Sequence, residues 1–157
     1  MILYYSRTRK TKAFAEILGE ITGLQVYELE SDLSQSSGFS FMLKAFKMII
    51  TGKGYPVSNM PPSLPEEIYL CGPVWGGKMV GPPRYFLDNA DLRNTKVNIL
   101  LTAAMPVVKH KQKALEYLSK IPCKSGKAYI FATSDDSASD KEALTEQIKE
   151  MLSDDND

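Results

Sequence analysis

Short apolar runs alternate with longer amphipathic stretches along the whole chain. Residues 1–5, 24–30, 67–71, 96–102 and 127–133 read as strands, each rich in β-branched, aromatic or aliphatic side chains. The segments between them carry the spacing of helices. Residues 11–22 place Phe14, Ile17, Leu18 and Ile21 on one face, and Gly23 ends the run. Residues 40–51 place Met42, Ala45, Phe46, Ile49 and Ile50 inward before Gly52 and Gly54. Pro82-Pro83 opens a third helix, since proline is tolerated in a first turn. A fourth, over 108–120, turns Ala114, Leu115, Leu118 and Ile121 inward. The last starts at a capping box, Ser139-x-x-Glu142, and buries Leu144, Ile148, Met151 and Leu152.

Strand–helix alternation repeated five times predicts an α/β fold, a parallel sheet with helices on both faces. No repeat, low-complexity tract or linker divides residues 1–157, so one domain is expected, with 153–157 as a frayed acidic tail. Two connections stand out: 31–38, rich in Ser and Gly, and 53–65, with four prolines. In open sheets of this kind ligands bind beyond the carboxyl ends of the strands, where strand order reverses. The loops after strands one, three and four are therefore the places for chemistry.

Composition narrows the classes of partner. The 157 residues carry 19 basic and 19 acidic side chains, a formal net charge of zero. No field favours nucleic acid, and no polybasic run marks a membrane surface. The apolar N-terminal run has Arg7, Arg9 and Lys10 on the wrong side for a signal peptide, and no apolar stretch approaches the ~20 residues that cross a bilayer. Cys71 and Cys123 lack metal-ligand spacing, and the single histidine, His110, lies among lysines. A reduced, cytoplasmic protein without a metal is expected.

Two segments carry the chemistry. Ser6-Arg7-Thr8-Arg9-Lys10-Thr11 joins the first strand to the first helix with three hydroxyls and three cations. A helix N-terminus adds unsatisfied N–H groups and the positive end of a dipole, so the segment is a phosphate cradle in outline. Ser and Thr at such a turn also serve as plain helix caps. After the third strand comes Cys71-Gly72-Pro73-Val74-Trp75-Gly76-Gly77-Lys78-Met79, with the only tryptophan in a glycine-flanked loop. An indole at a strand end offers a flat face to an aromatic ligand, and the glycines allow a close backbone approach.

Together these residues resemble the flavodoxin family. Residues Ser6 to Thr11 are similar to its phosphate loop, usually written [S/T]-x-T-G-x-T, and Gly72 to Gly77 are similar to the loop it uses against the flavin ring. The length and alternation match along nearly the whole chain, least over 39–65, and the short run from the fifth strand into its helix resembles the short-chain branch. The resemblance implies a three-layer sandwich with five parallel strands in the order 2-1-3-4-5. It also implies FMN held without a covalent bond, and electron transfer. Carried over, Ser6, Thr8 and Thr11 hold the phosphate within a loop that also contains Arg7, Arg9 and Lys10. Trp75 stacks on the ring after Pro73 and Val74, and Gly76-Gly77 lies near the flavin N5 edge. Thr102, Ala103, Ala104 and Met105 close the other side. The implied activity is a carrier working with a redox partner protein, or an NAD(P)H- or quinone-type oxidoreductase with a small-molecule acceptor.

Three departures bear on that expectation. Arg9 stands where the pattern has glycine. If the position needs a positive φ, arginine costs ~1 kcal/mol, and if not, its charge serves a dianionic phosphate. The loop after the fourth strand has no aromatic residue. A chain of zero net charge suits docking on basic partners poorly. The alternative is a flavodoxin-like domain that has lost FMN and acts as a binding or regulatory module. Other families fit less well: Gly72-x-x-x-x-Gly77-Lys78 is followed by Met79 where a P-loop needs Ser or Thr, and a G-x-G-x-x-G fingerprint is absent. Asp135-Asp136 reads as a dipole partner of the last helix rather than a metal site, and Lys109-His110-Lys111 as the solvated start of the fourth, with a place near the flavin rim as the alternative.

Overall fold

The computed structural model describes residues 1–133 and 138–154. In chain order its elements are β1 (Ile2–Tyr4), α1 (Lys10–Thr22), β2 (Val26–Glu28), a 3-10 turn (Asp32–Gln35), α2 (Gly38–Thr51), β3 (Glu67–Trp75), β4 (Lys78–Met79), α3 (Pro82–Asn89), β5 (Lys96–Ala103), α4 (Val108–Leu118), β6 (Ser125–Ala132) and α5 (Ala138–Asp154). Five strands pair in parallel in the order β2-β1-β3-β5-β6, which is the expected 2-1-3-4-5. The sixth, β4, pairs antiparallel with the end of β3 and was not expected. β1 lies between β2 and β3, so strand order reverses there and a crevice opens beyond its carboxyl end.

Period-two alternation sorts the strand side chains between two cores. Leu3, Ile68, Leu70, Val97, Ile99 and Leu101 face one layer with Met48 of α2, Phe86 of α3 and Leu118 of α4. Ile2, Tyr4, Tyr69, Cys71 and Leu100 face the other with Phe14 and Leu18 of α1 and Ile148 of α5. The α1 stripe is packed as its spacing implies, with the Phe14 and Phe131 rings 4.6 Å apart. Its end is a left-handed cap in which the Gly23 N–H donates to the Gly19 carbonyl. Cys71 is fully buried and its thiol is pushed up by that burial, as for a small hydrophobe in a core.

Helix α2 departs from expectation. Met42, Phe46 and Ile50, expected inward, are exposed, while Phe41, Ala45, Met48 and Ile49 face the core. Leu115 of α4 is also turned outward. The Asp135-Asp136 pair and the Ser139 side chain of the expected capping box lie outside the described residues. Among the described residues no helix is long and apolar enough to cross a membrane, and no His/Cys/Asp/Glu cluster could hold a metal.

Candidate functional site

The Tyr5 N–H still reaches the Cys71 carbonyl at 3.2 Å, so the chain leaves the sheet only at Ser6. The Ser6 hydroxyl oxygen is buried and has no hydrogen-bond partner. A lone buried hydroxyl is costly unless something accepts from it or donates to it. Three residues on, Arg9 is the N-cap of α1 with φ 66° and ψ −10°, the one non-glycine residue with positive φ among those described. It therefore adopts the backbone shape for which the motif's glycine is suited, at a cost of about 1 kcal/mol. No side chain caps α1, and its first turn contains no acidic residue. The turn offers N–H groups that the helix cannot itself satisfy, beside a positive dipole end. Thr8 is exposed in the same loop.

Thr11 is tied into the core. It is buried, and its hydroxyl lies 2.8 Å from that of Thr102 at the end of β5. Thr102 in turn donates to the Gly72 carbonyl at 3.4 Å, so one buried polar link joins α1, β5 and β3. Arg7 is turned aside: its guanidinium stacks 3.7 Å over the Phe41 ring of α2.

The tryptophan segment is a hairpin, not a loop. β3 continues through Pro73, Val74 and Trp75, and Val74 and Trp75 pair with Met79 and Lys78 across a two-residue turn. Gly76 and Gly77 have φ 56° and 73°, the signs a type I′ turn requires at both central positions. A Cβ on Gly76 would stand 2.5 Å from Ile49 Cγ2, so close packing against α2 also demands glycine there. Lys113 of α4 donates to the Gly77 carbonyl at 3.2 Å, and Lys78 donates to the Ile49 carbonyl at 3.1 Å. A Cβ on Gly77 would lie 3.5 Å from His110 Nε2, and His110 Nδ1 is buried without a partner. His110 thus packs at the turn instead of being solvated, and the hairpin is held between α2 and α4.

Trp75 is half-buried, with Tyr5 and Phe41 nearly perpendicular to it at 6.2 and 5.5 Å between centroids. Tyr5 is the residue before Ser6, so this contact brings the two sequence segments to one place. Burial pushes the Tyr5 phenol up, and it accepts from the Ser34 hydroxyl at 3.4 Å. Ala103 ends β5, and Ala104 and Met105 beyond it are exposed, Met105 at 81%. Sequence reasoning missed Tyr5 and Lys113 as neighbours of the hairpin, since nothing local links residues so far apart.

A cleft of about 660 Å³ lies elsewhere, lined by Lys78, Arg84, Asp88, Lys113, Tyr117 and Lys120 among others, and by none of the phosphate-loop residues. Arg84 pairs with Asp88 at 3.1 Å and stacks 3.5 Å over Tyr117, whose hydroxyl donates to Asp88. These α3–α4 contacts engage Arg84, Asp88 and Tyr117 with one another.

No protein-family model matches the chain, and no curated protein sequence does. Solved structures do match. A provisionally named flavoprotein of Bacteroides uniformis ATCC 8492 aligns over 95% of this chain and 96% of its own, at TM-score 0.65 and 17% identity. A flavoprotein in complex with FMN from Lactobacillus acidophilus NCFM aligns over 81% and 90%, at TM-score 0.59 and 22% identity. Oxidised flavodoxin 2 of Bacillus cereus aligns over 98% and 97%, at TM-score 0.50 and 16% identity. The chain has the flavodoxin-like fold.

Proposed function

We propose that this protein binds FMN without a covalent bond at the carboxyl ends of β1, β3 and β5, and works in electron transfer. Its acceptor is a redox partner protein or a small molecule such as a quinone. The observation that carries the reading is the unpartnered, buried Ser6 hydroxyl at the uncapped start of α1, joined through Tyr5 to Trp75. Arg9 takes up the glycine-like conformation, so the flavin-free alternative keeps only the strand-four loop without an aromatic residue in its favour. The solved FMN complex with the same fold adds to the reading.

FMN, when bound, supplies reversible acceptance of one or two electrons. The residues of this chain bind and orient it. Ser6 and Thr8 offer hydroxyls to the phosphate, the first turn of α1 offers N–H groups, and Arg9 offers charge. Thr11 orders the loop through Thr102. Trp75 offers its face to the ring, and the Ala103–Met105 side, which has no aromatic residue, leaves room for a small acceptor. The experiment is a fluorescence titration with FMN and with riboflavin, which lacks the phosphate. FMN binds and riboflavin binds at least tenfold more weakly, while Trp75→Ala weakens FMN by about 1–3 kcal/mol of lost stacking. Equal affinities for the two flavins would remove the phosphate loop from the site, and no binding at all would sink the proposal.

A further inference from the structure

Helix α2 has two apolar faces, and only one of them is used. Phe41, Ala45, Met48 and Ile49 pack on the sheet. Phe39, Met42, Leu43, Phe46 and Ile50 form a second stripe, 69, 55, 53, 62 and 64% exposed, at i, i+3, i+4, i+7 and i+11. At 100° per residue these five fall within one sector of about 100°, on a ridge of roughly 18 Å. The stripe shows water roughly 500 Å² of mostly apolar surface, the size of the largest patch on a typical soluble monomer, which is often functional.

Charge identifies the occupant. Residues 33–65 contain Lys44, Lys47 and Lys53 and no acidic side chain. Lys47 and Lys53 are exposed, Lys44 reaches Ser36, and Lys78 lies against the Ile49 carbonyl near the helix end. Lys44 also lies over the Tyr55 ring at 5.3 Å, and Asp32, in the turn before α2, is the carboxylate that acts on it. These lysines are interleaved with apolar residues, which is why no polybasic run is visible in the sequence. A second copy stacked antiparallel on this stripe would set its Lys44 and Lys47 edge beside the same edge of the first. Protein interfaces favour arginine and disfavour lysine, whereas a ridge of Phe, Leu and Ile rimmed by lysine suits lipid headgroups. The stripe is also convex, and a bilayer needs no matching groove.

We infer that the exposed α2 stripe seats this protein on an anionic bilayer surface, with Phe39, Met42, Leu43, Phe46 and Ile50 at the acyl boundary and the lysines among the headgroups. The hairpin turn packs against Ile49 of the same helix and leads on to the α4 start, where Met105, Val107 and Val108 are exposed as well. The strand-end crevice therefore opens beside the membrane-facing ridge, where an acceptor dissolved in lipid is at hand. The seating itself does not depend on a bound flavin.

The test is flotation of the purified full chain with phosphatidylcholine vesicles, with and without about one-third phosphatidylglycerol. At about 0.1 M salt the protein floats with the anionic vesicles and stays behind with the neutral ones. Phe39→Ser with Phe46→Ser lowers partitioning at least tenfold, and Lys47→Glu with Lys53→Glu lowers it and removes its salt dependence. All four positions are exposed, and circular dichroism confirms that the variants remain folded. Three results would overturn the inference. One is no flotation with either vesicle, and another is flotation that the Phe variants leave unchanged. The third is a dimer in equilibrium sedimentation that Phe46→Ser dissolves while vesicles are ignored, which assigns the stripe to a second copy.

Discussion

Helices α1 and α2 each start beyond a strand end, each space apolar residues three and four apart, and each finish on a glycine with positive φ. Their fates differ. α1 buries Phe14, Ile17 and Leu18 and is tied to β5 by the Thr11–Thr102 hydroxyl pair. α2 fully buries only Met48 and turns five large side chains to solvent. Amphipathic spacing shows that a helix has an apolar face, but a helix with two such faces gives no sign of which one meets the core. The surplus face is then free for another use, and on α2 it stands beside the candidate site.

The contrast is open to test by stability measurements. Phe14→Ala has the largest expected effect. The ring is fully buried against Phe131, and its loss costs about 3–5 kcal/mol in urea unfolding. A cost below 1 kcal/mol would mean that α1 is not seated as described. Thr102→Val comes next. It preserves shape but strips Thr11 of its partner, and an unsatisfied buried hydroxyl costs about 1–3 kcal/mol. An unchanged midpoint would show that the hydroxyl pair contributes nothing to holding α1. Phe46→Ser is the smallest, within about 0.5 kcal/mol of zero, because the side chain is 62% exposed. If Phe46→Ser destabilised the monomer as much as Phe14→Ala, the two helices would not differ and the exposed stripe would be part of the core.

Much of this was readable from local pattern. The five parallel strands, α1 with its Gly23 cap and the Pro82 start of α3 all follow from spacing within a few residues. The hairpin did not, although Gly76-Gly77 announced a turn. Glycine and proline in Gly72-Pro73 suggested that the strand had ended, yet Gly72 and Pro73 remain paired with Leu101 and Thr102 of β5. Pairing with neighbouring strands outweighed the local signal. Thr11 shows the same limit, since its hydroxyl partner is 91 residues away.

Periods of two and of 3.6, caps and turn glycines are set by each residue's own backbone and its nearest neighbours, so the chain alone specified the layered α/β architecture and the position of the phosphate loop. Three matters waited on contacts between distant segments. Arg9 is held in a left-handed conformation at the start of α1, which its residue type alone would disfavour. Trp75 meets Tyr5, the residue before the phosphate loop, because β1 and β3 are neighbours in the sheet. The outward face of α2 was settled by the sheet, which had room for only one of the helix's two apolar stripes.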